Sequence, residues 1–105
     1  MKTAPIAEIN SVELERLFSD LAQRWRRETA AHSVLQKKVL HPAYQRIIGL
    51  GPVVIPLILR ELQREPSHWF WALNAITGED PVPIGSTFEQ AADAWLKWGR
   101  ARGYF

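Results

Sequence analysis

Between residues 14 and 25, apolar side chains recur as Leu14, Leu17, Phe18, Leu21 and Trp25, at i, i+3, i+4, i+7 and i+11. That spacing lines one side of an α-helix and cannot line one side of a strand. A helix from Ser11, a candidate N-cap, to about Thr29 is therefore predicted. Its charges agree: Glu13 and Glu15 fall in the first turn and Arg24, Arg26 and Arg27 in the last, each complementing the macrodipole. No segment of the chain alternates with a period of two, so the expected class is all-α.

Prolines and glycines divide the remainder. Over Ala30 to Leu40, Ser33 with Gln36 has the form of a capping box and predicts a short helix bearing Val34, Leu35 and Val39. His41-Pro42 restarts the chain, and a helix is expected from Pro42 to about Ile48, with Gly49 and Gly51 available for a left-handed end. The next helix is predicted from Val53 to Arg64, with Pro56 placed in its first turn where amide donors lack intrahelical partners. Val54, Ile55, Leu57, Ile58, Leu59 and Leu62 leave it almost no polar side, which predicts a central position. Pro66 stops that helix; Ser67 is read as the cap of another carrying Trp69, Ala72, Leu73 and Ile76 and ending at Gly78. Pro81 and Pro83 favour an extended path through EDPVPIG. Ser86 with Glu89 and Thr87 with Gln90 are overlapping capping boxes for a last helix with Phe88, Ala91, Ala92, Trp95 and Trp98 on its apolar face.

A length of 105 residues suits one domain that buries roughly two thirds of its unfolded surface. The expected organisation is a flexible lead-in over residues 1–10 and a single helical domain over 11–105. The chain has no cysteine, which removes disulfides, thiolate metal ligands and a cysteine nucleophile and fits a reducing cytoplasm. The longest apolar run, Pro52 to Leu59, is far below the ~20 residues that cross a bilayer, and the N-terminal stretch lacks the apolar core of a signal peptide. The net charge of +2 is a small surplus, because acidic residues are interleaved with basic ones through the first forty positions.

The segment GPVVIPLILRELQREPSHWFWALNAITG resembles a HEAT-type helical hairpin, with a Gly-Pro entry, an apolar first helix and a second helix ending in Ile-Thr-Gly. Trp95-Leu96-Lys97-Trp98 resembles the tryptophan-rich closing helix that accompanies such repeats in bacterial proteins. HPAYQRIIGLG with PLILRELQ and HWFWAL is also similar to a group of small bacterial proteins without an assigned activity. The resemblance covers residues 41–105. It implies a compact bundle of four to six helices around a HEAT-like hairpin, with Gly51, Pro52, Leu57, Leu62, Leu73 and Ile76 in structural roles. No catalytic residue is implied, and the activity implied is protein-protein scaffolding.

The residues themselves carry no reaction motif. His32, His41 and His68 lack metal-ligand spacing; His41 is read as a cap of the Pro42 helix and His68 as a first-turn residue. Glu79-Asp80 and Glu61-Glu65 read as solvated charge, and Ser33, Ser67 and Ser86 as caps. No catalytic residue, metal ligand or cofactor is expected, and the chain reads as a non-enzyme. Five tryptophans in so short a chain exceed what the apolar stripes need, since Phe70 and Trp71 cannot both join the face of Trp69, Leu73 and Ile76. Phe70, Trp71, Tyr44, Tyr104 and Phe105 are accordingly the candidates for binding a protein partner, a second copy of this chain included. The competing expectation is a nucleic-acid-associated regulator or antitoxin-like protein using Arg24, Arg26, Arg27, Lys37 and Lys38 as a basic patch. Against it, SHWFWALNAITG offers no arginine or lysine as a recognition helix.

Overall fold

The computed structural model describes residues 10–105, and those residues are all-α, with six α-helices, a 3-10 turn and no strand. The expected lead-in, apart from Asn10, lies outside the described residues. The described residues divide into two compact units, 10–54 and Ile55–Phe105.

The first unit contains α1 (Ser11–Thr29), α2 (Leu35–Val39), α3 (Pro42–Gly49) and the 3-10 turn Gly51–Val54. α1 packs along α3 and touches α2. Phe18, Leu21, Ala22 and Trp25 of α1 are buried with Val39, Ala43, Tyr44 and Ile47, and the Trp25 and Tyr44 rings lie 5.2 Å apart. The Trp25 indole N–H donates to the Lys38 carbonyl at 2.8 Å, which ties α1 to α2. Leu14 and Leu17 are half-buried at the start of the stripe.

Local chemistry sets the ends of these helices, in two places differently from expectation. The cap of α1 is Asn10, not Ser11: the Asn10 side-chain oxygen accepts from the Glu13 amide at 2.8 Å, and its amide donates to the Glu13 carboxylate at 2.6 Å. Ser33 does not cap α2, which begins at Leu35 after Val34 with no side-chain cap. His41 does cap α3, its Nδ1 accepting from the Ala43 amide at 3.0 Å. Gly49 remains helical, and the left-handed conformation falls on Gly51 at φ 78°.

In the second unit are α4 (Ile55–Arg64), α5 (Phe70–Thr77) and α6 (Phe88–Ala101), which pack pairwise. α4 starts two residues later than expected because Gly51–Val54 take the tighter 3-10 form, and Pro56 sits in its first turn. Ile55, Leu57, Ile58, Leu59, Leu62, Trp69, Ala72, Leu73, Ala91, Ala92 and Trp95 are buried. α4 and α6 approach closely at Gly99, where a Cβ would stand 2.6 Å from Leu59 Cδ1.

Ser67 is not the cap of α5. That position belongs to Trp69, whose amide donates to the Ser67 carbonyl at 2.8 Å and whose indole is fully buried. Burying an indole outweighs a side-chain cap worth about 1 kcal/mol, so packing sets this boundary. α5 ends at Gly78 in the left-handed region, φ 72°. Of the two overlapping boxes before α6, Thr87 with Gln90 forms in both directions, at 3.1 and 2.9 Å. Ser86 instead donates to the Pro83 carbonyl at 2.7 Å.

Candidate functional site

α6 divides its residues between two faces. Ala91, Ala92, Trp95 and Gly99 are buried. Gln90, Asp93, Ala94 and Lys97, at i, i+3, i+4 and i+7, line an open groove of about 700 Å³ together with Trp98 and the loop of Pro81, Pro83 and Ile84. Along the floor, Lys97 pairs with Asp93 at 3.2 Å.

The loop that walls the groove is held by polar contacts at its Glu79 end. The Asn74 amide donates to the Glu79 carbonyl at 2.6 Å, and the Glu79 amide donates to the Thr77 hydroxyl at 3.0 Å. Asp80 accepts from the Val82 amide at 3.1 Å. The Glu79 carboxylate accepts from the Trp98 indole at 3.2 Å and from Arg102 Nη1 at 2.9 Å. Glu79 is therefore not simply solvated charge. The Arg102 hydrogen bonds, followed by the Trp98 indole, hold its carboxyl below the usual glutamate range, and Glu79 in turn raises Arg102. The Arg102 guanidinium also lies 5.0 Å from the Trp98 ring centre, and Trp98 stacks on Tyr104 at 5.5 Å. Beyond these anchors Ile84 projects with its side chain wholly in solvent, at 106% relative exposure.

The five aromatic candidates separate. Trp71 is 57% exposed on α5 and Phe105 is 44% exposed, with Arg100 5.7 Å from its ring. Phe70 is half-buried with its ring 5.3 Å from Phe88, and Tyr104 is half-buried on Trp98. Tyr44 leaves the list: it has no exposed surface, because it fills the centre of the first unit against Trp25. Sequence reasoning missed Ile84 and the α6 stripe. An isoleucine beside a glycine in a loop carries no period, so nothing local tells an anchor from a protrusion. Val34, Leu35 and Leu40 of the first unit are also half or more exposed.

Among the basic candidates, the Trp25 to Lys38 bond brings the last turn of α1 beside α2. Arg24 is paired with Glu28 at 3.3 Å, Arg26 and Lys38 are half-buried, and Arg27 and Lys37 are exposed. Glu28 also bonds His41 Nε2 at 2.7 Å; that bond, then Arg24, holds its carboxyl below the usual range. His32 is exposed, and His68 precedes α5, not in its first turn, edge-on to Phe88 at 5.3 Å. Glu61 is gripped by Arg64 at 2.7 and 2.9 Å. Among the described residues no three His, Asp or Glu side chains gather as a metal site, and no single helix is long and apolar enough to cross a membrane.

Comparison with protein-family models, with curated proteins and with solved structures finds no match for this chain.

Proposed function

We propose that this chain is a non-enzymatic protein-binding module whose contact surface lies on the second unit, at the groove between the Pro81–Ile84 loop and α6. The observation that carries the reading is Ile84, an isoleucine wholly in solvent on a loop pinned through Glu79 beside an apolar groove. Exposing such a side chain forgoes burial worth roughly 1.5–3 kcal/mol, which a partner covering it recovers. The lining is apolar apart from Gln90, Ser86 and the Asp93–Lys97 pair, a composition suited to the contact of side chains more than to bond-making. Trp71, exposed on α5, supplies further binding area of the kind found at hot spots. The resemblance of residues 51–78 to a HEAT-type hairpin points the same way. Nucleic acid has less in its favour, since Arg24 is paired with Glu28 and Arg26 is half-buried.

A photo-cross-linking amino acid placed at 84, at 71, and at the exposed control position Gln63 tests this in cells. Cross-links to polypeptide from 84 or 71, and none from 63, are expected. If neither 84 nor 71 captures protein, the reading fails.

A further inference from the structure

We infer that the groove takes a second copy of this chain, in a two-fold pair in which each Ile84 enters the groove of the other. This rests on the protein-binding reading above and names its partner. Three features of the same face point to a self-complementary contact. The knob and the hole adjoin: Ile84, wholly exposed, stands on the rim of the open apolar hollow that Pro81, Pro83, Ala94 and Trp98 also line. A patch carrying both is matched by a copy of itself rotated by a two-fold axis, which is the geometry of an isologous dimer.

Charge supplies the register. Asp93 and Lys97 lie along the exposed stripe of α6. A two-fold axis level with residue 95 sets α6 antiparallel to its mate, so that residues whose numbers sum to 190 face one another. Asp93 of each copy then meets Lys97 of the other, so the two Asp93–Lys97 pairs, each already closed within its own helix at 3.2 Å, join into a ring of four alternating charges across the axis. A parallel arrangement would place like beside like, so the charge order selects the antiparallel pair. Ala94, small and half-buried between these charges, lets the helices approach. About ten residues line the face, fewer than the roughly 20–30 per side of a standard interface, so the pair is weak and forms with rising concentration.

Sedimentation equilibrium of the full chain from ~10 µM to ~1 mM reads this directly. The weight-average mass is expected to rise from 12.0 kDa toward twice that value. Ile84→Asp weakens the association at least about tenfold. Asp93→Lys alone and Lys97→Glu alone stay monomeric, because each sets like charges across the axis, and their equimolar mixture associates again. In the unaltered chain, the indole N–H resonance of Trp98 shifts on dilution. A wild-type chain that is monomeric throughout, an Ile84→Asp chain that associates as wild type, or a mixture that stays monomeric overturns the proposal. If residue 84 cross-links a different protein while the chain remains monomeric, the dimer is refuted and the protein-binding reading stands.

Discussion

Gly99 shows how one residue position is decided by competing magnitudes. Replacing it by alanine gains helix propensity of about 1 kcal/mol, because a mid-helix glycine gives up more backbone freedom on folding. The new methyl would meet Leu59 Cδ1 at 2.6 Å and Phe105 Cε2 at 3.1 Å, and Leu59 is fully buried with little room to turn. Overpacking of this kind costs about 1–3 kcal/mol, so the clash wins. Gly99→Ala is expected to lose up to about 2 kcal/mol in urea denaturation, and a stabilised variant would show that Leu59 yields without strain. The contrast between Tyr44 and Ile84 belongs to the same scale. A tyrosine fills the middle of one unit while an isoleucine stands in water, although hydropathy alone would order them the other way.

At the scale of elements, capping chemistry separates residues that look alike in sequence. Thr87 and Ser33 each sit three residues before a glutamine, yet only Thr87 exchanges hydrogen bonds with its partner. Thr87→Ala is expected to cost about 1 kcal/mol by chemical denaturation. Ser33→Ala, at an exposed position before a helix that begins without a side-chain cap, should stay within about 0.5 kcal/mol. Equal losses would mean that Ser33 caps α2 in solution. The centres of all six helices were legible, since apolar period, proline and glycine act within a few residues. Their starts were legible only in part: α3 begins at Pro42 and α6 after Thr87 as expected, but Asn10 displaces Ser11 by one position, and the burial of Trp69 moves the start of α5 past Ser67 and His68.

Over the whole molecule, among the described residues, each unit carries one carboxylate held below its ordinary range. Glu28 is held first by His41 in the first unit, and Glu79 first by Arg102 in the second. A carboxyl whose folded value is depressed stabilises the fold fully above its unfolded value, about 4.5 for a glutamate, and loses that contribution as pH falls through the folded value. The chain should therefore lose stability on acidification below about pH 5. In thermal unfolding, Glu79→Gln is expected to have a lower Tm than wild type at neutral pH and a smaller drop in Tm between pH 6 and pH 3. Parallel pH curves for the two proteins would show that Glu79 keeps the same affinity for protons in the unfolded chain. Both contacts join residues distant in sequence, 13 and 23 positions apart, which is why neither carboxylate stood out from its neighbours in the chain.

The helical class, the apolar stripes and the turns at Gly51 and Gly78 follow from residue order, because each depends on side chains within about one helical turn or on the backbone freedom of a single glycine. Which aromatic rings end in the core, which loop is tied down through Glu79, and which apolar side chain is left facing water depend on partners brought together by folding. Exposure is a property of a residue's neighbours in space, and no local period encodes them.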